Sequence, residues 1–140
     1  MIKNRLFLSI LGLLIAVSSC TKPNLTGENS EGDDVYYIKY ASDGFKQNTN
    51  EYAVTYVAED GTTVRLSDFE GDNFERTIGP VSKGFKAEYS IKCTSSQYIN
   101  HAIGLRIEVK EGDKPFVVKK EEVKTSVGFD CTATLSYIVE

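Results

Sequence analysis

The nine residues Phe85-Lys86-Ala87-Glu88-Tyr89-Ser90-Ile91-Lys92-Cys93 alternate without a break: Phe85, Ala87, Tyr89, Ile91 and Cys93 share one face, and Lys86, Glu88, Ser90 and Lys92 share the other. A β-strand turns successive side chains to opposite sides, so a period of two describes a strand with one face in a core and one in water. A helix would scatter the same apolar residues around its whole circumference. The pattern recurs in Ile103, Leu105, Ile107 and Val109, set against Arg106, Glu108 and Lys110. It recurs again toward the C-terminus, where Val127, Phe129, Cys131, Ala133, Leu135 and Tyr137 are expected inward and Asp130, Thr132, Thr134 and Ser136 outward.

Working back toward the N-terminus, Val35–Ala41 (VYYIKYA) is rich in β-branched and aromatic residues and reads as the first strand. Tyr52–Ala58 follows, with Tyr52, Val54 and Tyr56 on one face. Glu59-Asp60-Gly61 makes a turn that favours a positive φ, and Thr62–Leu66 returns as the hairpin partner. A polar connection leads to a short strand over residues 73–79, closed by Gly79-Pro80; a proline cannot donate to a ladder and marks an end or an edge. Beyond the central strands, Glu111–Pro115 is a hairpin loop and Phe116–Lys120 pairs back across it. Residues 95–102 (SSQYINHA) and 121–126 are expected as loops or an edge extension, and Lys119-Lys120-Glu121-Glu122 as a solvated edge. The sum is an all-β domain of about seven to eight mostly antiparallel strands. A sheet with one apolar face needs a second layer, so the expected architecture is a two-sheet β-sandwich.

The first 34 residues have a different texture. Lys3 and Arg5 precede Leu6–Val17, an apolar run of about a dozen residues, the length of a signal h-region and short for a membrane span. Val17-Ser18-Ser19-Cys20 then reads as a lipobox, with small residues to fit a narrow protease site and a thiol to accept the lipid. Residues 1–19 are therefore expected as a lipoprotein signal peptide and Cys20 as the lipidated residue. Diacylation supplies the two chains that stable anchoring needs. Residues 20–34 (CTKPNLTGENSEGDD) carry proline, glycine, asparagine and acids with almost no apolar content, and read as a flexible tether ahead of a domain at 35–140.

Composition narrows the function classes. The chain carries 16 basic and 20 acidic residues for a formal charge of −4. Two of the basic residues lie in the signal segment, so the remainder is more acidic still. Nucleic-acid binding requires clustered Lys and Arg and is not expected. The attachment to a membrane rests on lipid rather than on a basic patch. Tryptophan is absent, but eight tyrosines and seven phenylalanines are enough to build a core.

No residue pattern points to catalysis, a metal or a cofactor. His101 is the only histidine, in a polar stretch, and is expected to face solvent. Asp68, Glu70 and Asp72 share one loop and read as solvated; paired catalytic carboxylates need a cleft and one raised pKa. The acids Glu28, Glu31, Asp33 and Asp34 lack the ligand spacing of a calcium loop. With Cys20 assigned to lipid, Cys93 and Cys131 remain, both on the apolar phase of long strands. An exported chain sits where disulfides persist, so they form a candidate disulfide that would close a loop of about 38 residues, for roughly 3–4 kcal/mol. Two separate buried thiols acting as small hydrophobes fit the same pattern, and both readings stay open.

The strand layout resembles small lipoproteins of Bacteroides-type bacteria in the MmpS-like transport-accessory family. The likeness is carried by Val35-Tyr36-Tyr37-Ile38-Lys39-Tyr40, by Tyr52-Ala53-Val54-Thr55-Tyr56 with Glu59-Asp60-Gly61, and by Phe74-Glu75-Arg76-Thr77-Ile78 with Lys83-Gly84-Phe85. The hairpin from Leu105-Arg106-Ile107-Glu108-Val109 through Gly112 to Val117-Val118 completes it. The resemblance implies an immunoglobulin-like β-sandwich and an outer-membrane lipoprotein acting as an accessory domain, with no catalytic residue to carry over. Thr21-Lys22-Pro23-Asn24 follows the cysteine where surface-displayed lipoproteins often carry acids, which leaves the periplasmic and surface faces both open. The expected function is a non-enzymatic binding or accessory module with an envelope protein or glycan as partner. The alternative is a structural subunit assembled by strand addition at a sheet edge.

Overall fold

A computed structural model of the chain describes residues 34–43, 50–67 and 73–140. The signal segment, Cys20, the tether up to Asp33 and the Asp68–Asp72 loop lie outside the described residues. Within them the chain is all-β: β1 (Tyr36–Asp43), β2 (Asn50–Val57), β3 (Thr63–Leu66), β4 (Phe74–Val81), β5 (Lys86–Glu111) and β6 (Val117–Ile138). Every pairing is antiparallel. The sheet runs β3-β2-β5-β1-β4, with β6 paired to β5 off that path.

Seven to eight strands in two sheets are expected from the sequence; the described residues form six strands in one hydrogen-bonded sheet. The difference has one cause. Residues 95–102 and 121–126, which the sequence leaves as loops or an edge extension, mostly continue the ladder, so β5 runs 26 residues and β6 runs 22. Polar composition there reflects wet faces, not loops.

β5 serves both halves of the molecule. Its first part pairs with β2 (Tyr52↔Cys93, Val54↔Ile91, Tyr56↔Tyr89), and its last part pairs with β1 (Ile38↔Val109, Tyr40↔Ile107, Ser42↔Leu105). The sheet curls, and residues that are not paired in any ladder meet inside it. Tyr40 of β1 lies with its ring centroid 5.4 Å from Tyr89 of β5 and 5.6 Å from Tyr56 of β2. Phe74 of β4 stacks on Tyr89 at 5.7 Å. Offset aromatic pairs of this kind add about 1 kcal/mol each beyond the area they bury. The Tyr40 hydroxyl donates to the carbonyl of Val57 at 2.8 Å, which gives a buried polar group its partner. The odd-numbered residues of β5, from Ala87 through Cys93 and from His101 to Val109, make the floor of this core.

The turns follow the chemistry of their residues. Asp60 Oδ1 accepts from the Thr62 backbone N–H at 2.9 Å and from its hydroxyl at 2.6 Å, and Gly61 takes φ 81° as expected. Among the described residues β4 is an edge strand, and Pro80 lies within it without interrupting a ladder on the free side. Gly79 is confined by its neighbours: a Cβ there would come within 2.8 Å of Tyr37 Cδ1 and 2.9 Å of the Tyr36 carbonyl, at φ 129°. No larger residue fits.

On the outer face, Glu108 joins β1 to β5. Its carboxylate accepts from Lys39 Nζ at 2.7 Å and from Arg106 Nε at 2.8 Å, while Arg106 also reaches Asp43 at 3.1 Å. Lys110 lies 4.6 Å above the Tyr37 ring. These contacts cover that side of the sheet with charge and aromatic surface.

Candidate functional site

Cys93 and Cys131 are direct partners across the β5–β6 ladder. Directly opposed residues of an antiparallel pair point to the same face, with Cα atoms roughly 4.5–5.5 Å apart. Both thiols are free and buried, at 1% and 3% exposure. Strand phase puts the two in one core; only the register makes them neighbours.

His101 belongs to the same cluster. It was expected to face solvent, but it is 4% exposed and sits on the inward face of β5 opposite Ser126. Its Nε2 lies 2.9 Å from the Gly128 carbonyl, and its Nδ1 lies 3.4 Å from Cys93 Sγ. A carbonyl only accepts, so Nε2 carries the ring hydrogen, and Nδ1 of the neutral ring presents its lone pair to the Cys93 S–H. Tyr52, the β2 partner of Cys93, closes the third side. Burial pushes the Cys93 thiol up, the Tyr52 hydroxyl works against that shift by hydrogen bonding, and the nearby Cys131 and Asp130 reinforce it.

Sequence reading missed His101 and Tyr52 as members of this group. For His101 a signal was present. The odd-numbered phase that runs from Phe85 to Cys93 resumes at Ile103, and position 101 lies on it. The polar run around it masked the continuity.

The cluster borders the largest irregularity of the sheet. Pairing proceeds to Thr94↔Asp130 and resumes at Ile99↔Gly128, so residues 95–98 of β5 face Phe129 alone. The mismatch is an odd number of residues, and it reverses which face of β6 points inward. Cys131, Ala133 and Leu135 are buried on one side of the break. On the other side Val127 and Phe129, expected inward, are 61% and 54% exposed. They form an outer apolar stripe with Val123 (64%) and Tyr98 (68%), and the Tyr98 and Phe129 rings meet edge-on at 5.6 Å. The positions paired with Ile107, Leu105, Ile103 and His101 are Lys120, Glu122, Lys124 and Ser126, of which the three charged residues are exposed and Ser126 is half-buried.

Among the described residues, no three His, Cys, Asp or Glu side chains converge to hold a metal ion. A cleft of about 320 Å³ lies at the other end of the sheet, between Tyr36, Val109, Val117 and Tyr137. Its charged lining includes Glu111 and Lys114, which pair with each other at 2.8 Å. No protein-family model matches the chain and no curated protein matches it, so the chemistry of these residues rests on their own geometry.

Proposed function

We propose that the chain is a lipid-anchored, non-enzymatic binding or accessory module of the cell envelope, tied to the outer membrane through Cys20. The observation that carries the binding role is the apolar stripe of Tyr98, Val123, Val127 and Phe129 on the outer face of the β5–β6 ribbon. Four large apolar side chains exposed on one face of one ribbon, two of them in contact, are uncommon on a protein that works alone and point to an interaction site. The valines of the stripe offer no hydrogen bonds to sugar hydroxyls, which favours an envelope protein over a glycan as the occupant. The likeness to MmpS-like accessory lipoproteins and the immunoglobulin-like arrangement stand as finer proposals. They rest on strand order and on the facing of the Tyr40–Phe74 side against the Tyr56–Tyr89 side.

A photo-crosslinking residue placed at Val127 in living cells tests the stripe. One discrete adduct is expected, lost when Val123 and Phe129 are replaced by lysine; background labelling alone would sink the reading, and an adduct sensitive to glycosidase would move the partner to a glycan. Palmitate incorporation that survives Cys20→Ala would remove the anchor. Protease shaving of intact cells separates the two membrane faces, since a periplasmic domain survives it.

The second reading, a structural subunit built by strand addition, is favoured by one feature: β6 pairs only with β5 among the described residues, leaving its other edge open. The exposed charges Lys120, Glu122 and Lys124 on that strand oppose it, because they discourage a neighbouring strand from docking. Ladder formation on size exclusion would favour assembly; a stable monomer would exclude it.

A further inference from the structure

We infer that Cys93 and Cys131 form a reversible dithiol–disulfide site, in which His101 takes the proton of Cys93 and readies it for exchange with an external disulfide. Three independent features of the geometry meet here. The two cysteines are opposed in register, and the separation typical of opposed residues, roughly 4.5–5.5 Å, lies inside the window of about 4.4–6.8 Å that a disulfide spans. The Gly128 carbonyl fixes the imidazole tautomer so that Nδ1 faces Cys93 Sγ at 3.4 Å. The pair also sits one residue from the break in the ladder at Thr94 and Ile99. Interrupted pairing opens more readily than a regular ladder, and such openings admit a reagent to otherwise buried groups.

The exchange balances as follows. His101 Nδ1 accepts the S–H proton of Cys93, and the thiolate attacks one sulfur of the external disulfide. That S–S bond breaks as the new bond to Cys93 forms, and the departing thiolate takes a proton from the imidazolium. Cys131 then loses its proton and attacks the Cys93 sulfur, expelling the second thiolate, which is protonated in turn. The protein has given up two electrons and two protons, and the external disulfide leaves as two thiols. Cys93 is the nucleophile toward the external disulfide; Cys131 resolves the mixed disulfide.

The test uses the full chain carrying Cys20→Ser, reduced, then exposed under native conditions to oxidised glutathione, quenched in acid and mapped by mass. Loss of the mass of two hydrogens and a linked pair of peptides containing Cys93 and Cys131 are expected. Cys131→Ser should stop at a glutathione adduct on Cys93, and Cys93→Ser should form its adduct roughly tenfold more slowly or worse. His101→Gln should slow closure by about tenfold or more, the lower end of what a positioned base supplies. Should that variant lose its fold, the comparison of the two single-cysteine chains still decides. An oxidised Cys-X-X-Cys oxidoreductase is the second probe: closure with it alone assigns a protein disulfide, closure with glutathione as well assigns a small one, and closure with neither overturns the site. Equal rates for the two single-cysteine variants would overturn it too, as would a closure rate that rises with urea in step with global unfolding.

Discussion

The hydroxyls of Tyr40 and Tyr89 lie in one aromatic cluster but meet different surroundings. Tyr40 donates to the Val57 carbonyl at 2.8 Å, whereas the Tyr89 hydroxyl turns toward Ser42 without full hydrogen-bond geometry. Burial raises the pKa of both phenols. Tyr40→Phe is expected to cost about 1 kcal/mol, the net worth of a buried hydrogen bond and its orphaned acceptor, and Tyr89→Phe less than about 0.5 kcal/mol. Urea titrations followed by circular dichroism measure both, and a larger loss at Tyr89 would refute the contrast. Glu108 sets an acid limit. Burial pulls its carboxyl up, but the hydrogen bonds from Lys39 and Arg106 outweigh that and hold it below the ordinary carboxylate value. A carboxyl depressed in the folded state contributes stability in full above its unfolded value, about 4.3, and loses it as pH falls through the folded value. Thermal melts should therefore drop below about pH 4. Glu108→Gln should lower stability at neutral pH by about 1–3 kcal/mol and make the acid slope shallower. An unchanged slope would remove Glu108 from the account.

At the scale of elements, the reversal of face along β6 governs which substitutions matter. Val127→Lys is expected to change stability by less than about 0.5 kcal/mol, as for an exposed site, while Leu135→Ala, on the buried side of the same strand, should cost about 2–5 kcal/mol. Matching losses at the two positions would mean that the strand keeps one phase throughout. The same break explains what the sequence disclosed and what it concealed. Alternation in residues 85–93 and 103–109 identified the inward faces of β5 correctly, and Asp60-Gly61 identified its hairpin. Phase within one strand is a local property. Which residue lies opposite which is a property of two strands, so the odd mismatch that turns Val127 and Phe129 outward left no mark in the local pattern. For the same reason Cys93 and Cys131 were legible as core residues but not as neighbours. His101 was misread because serine, glutamine and asparagine around it resemble a loop, although on a strand with one wet face they are ordinary outward residues.

For the molecule as a whole, β5 is the shared member of both halves, hydrogen-bonded to β2 and β6 at its start and to β1 and β6 at its end. Neither half keeps its core if β5 leaves. Unfolding is expected as a single transition, and hydrogen exchange should report the same opening free energy for the amides of Tyr89 and Ile91 as for those of Leu105 and Ile107. Two distinct plateaus would show that the halves separate. β1 has a further consequence. It is the first of the described strands, yet it lies between β4 and β5 rather than at a rim. Tension applied to the chain ahead of Asp34 therefore meets two ladders loaded lengthwise, whose bonds share the load and yield together rather than peeling apart one by one. A domain threaded this way resists being pulled from its own N-terminal end, the direction in which a mount on a membrane would tug.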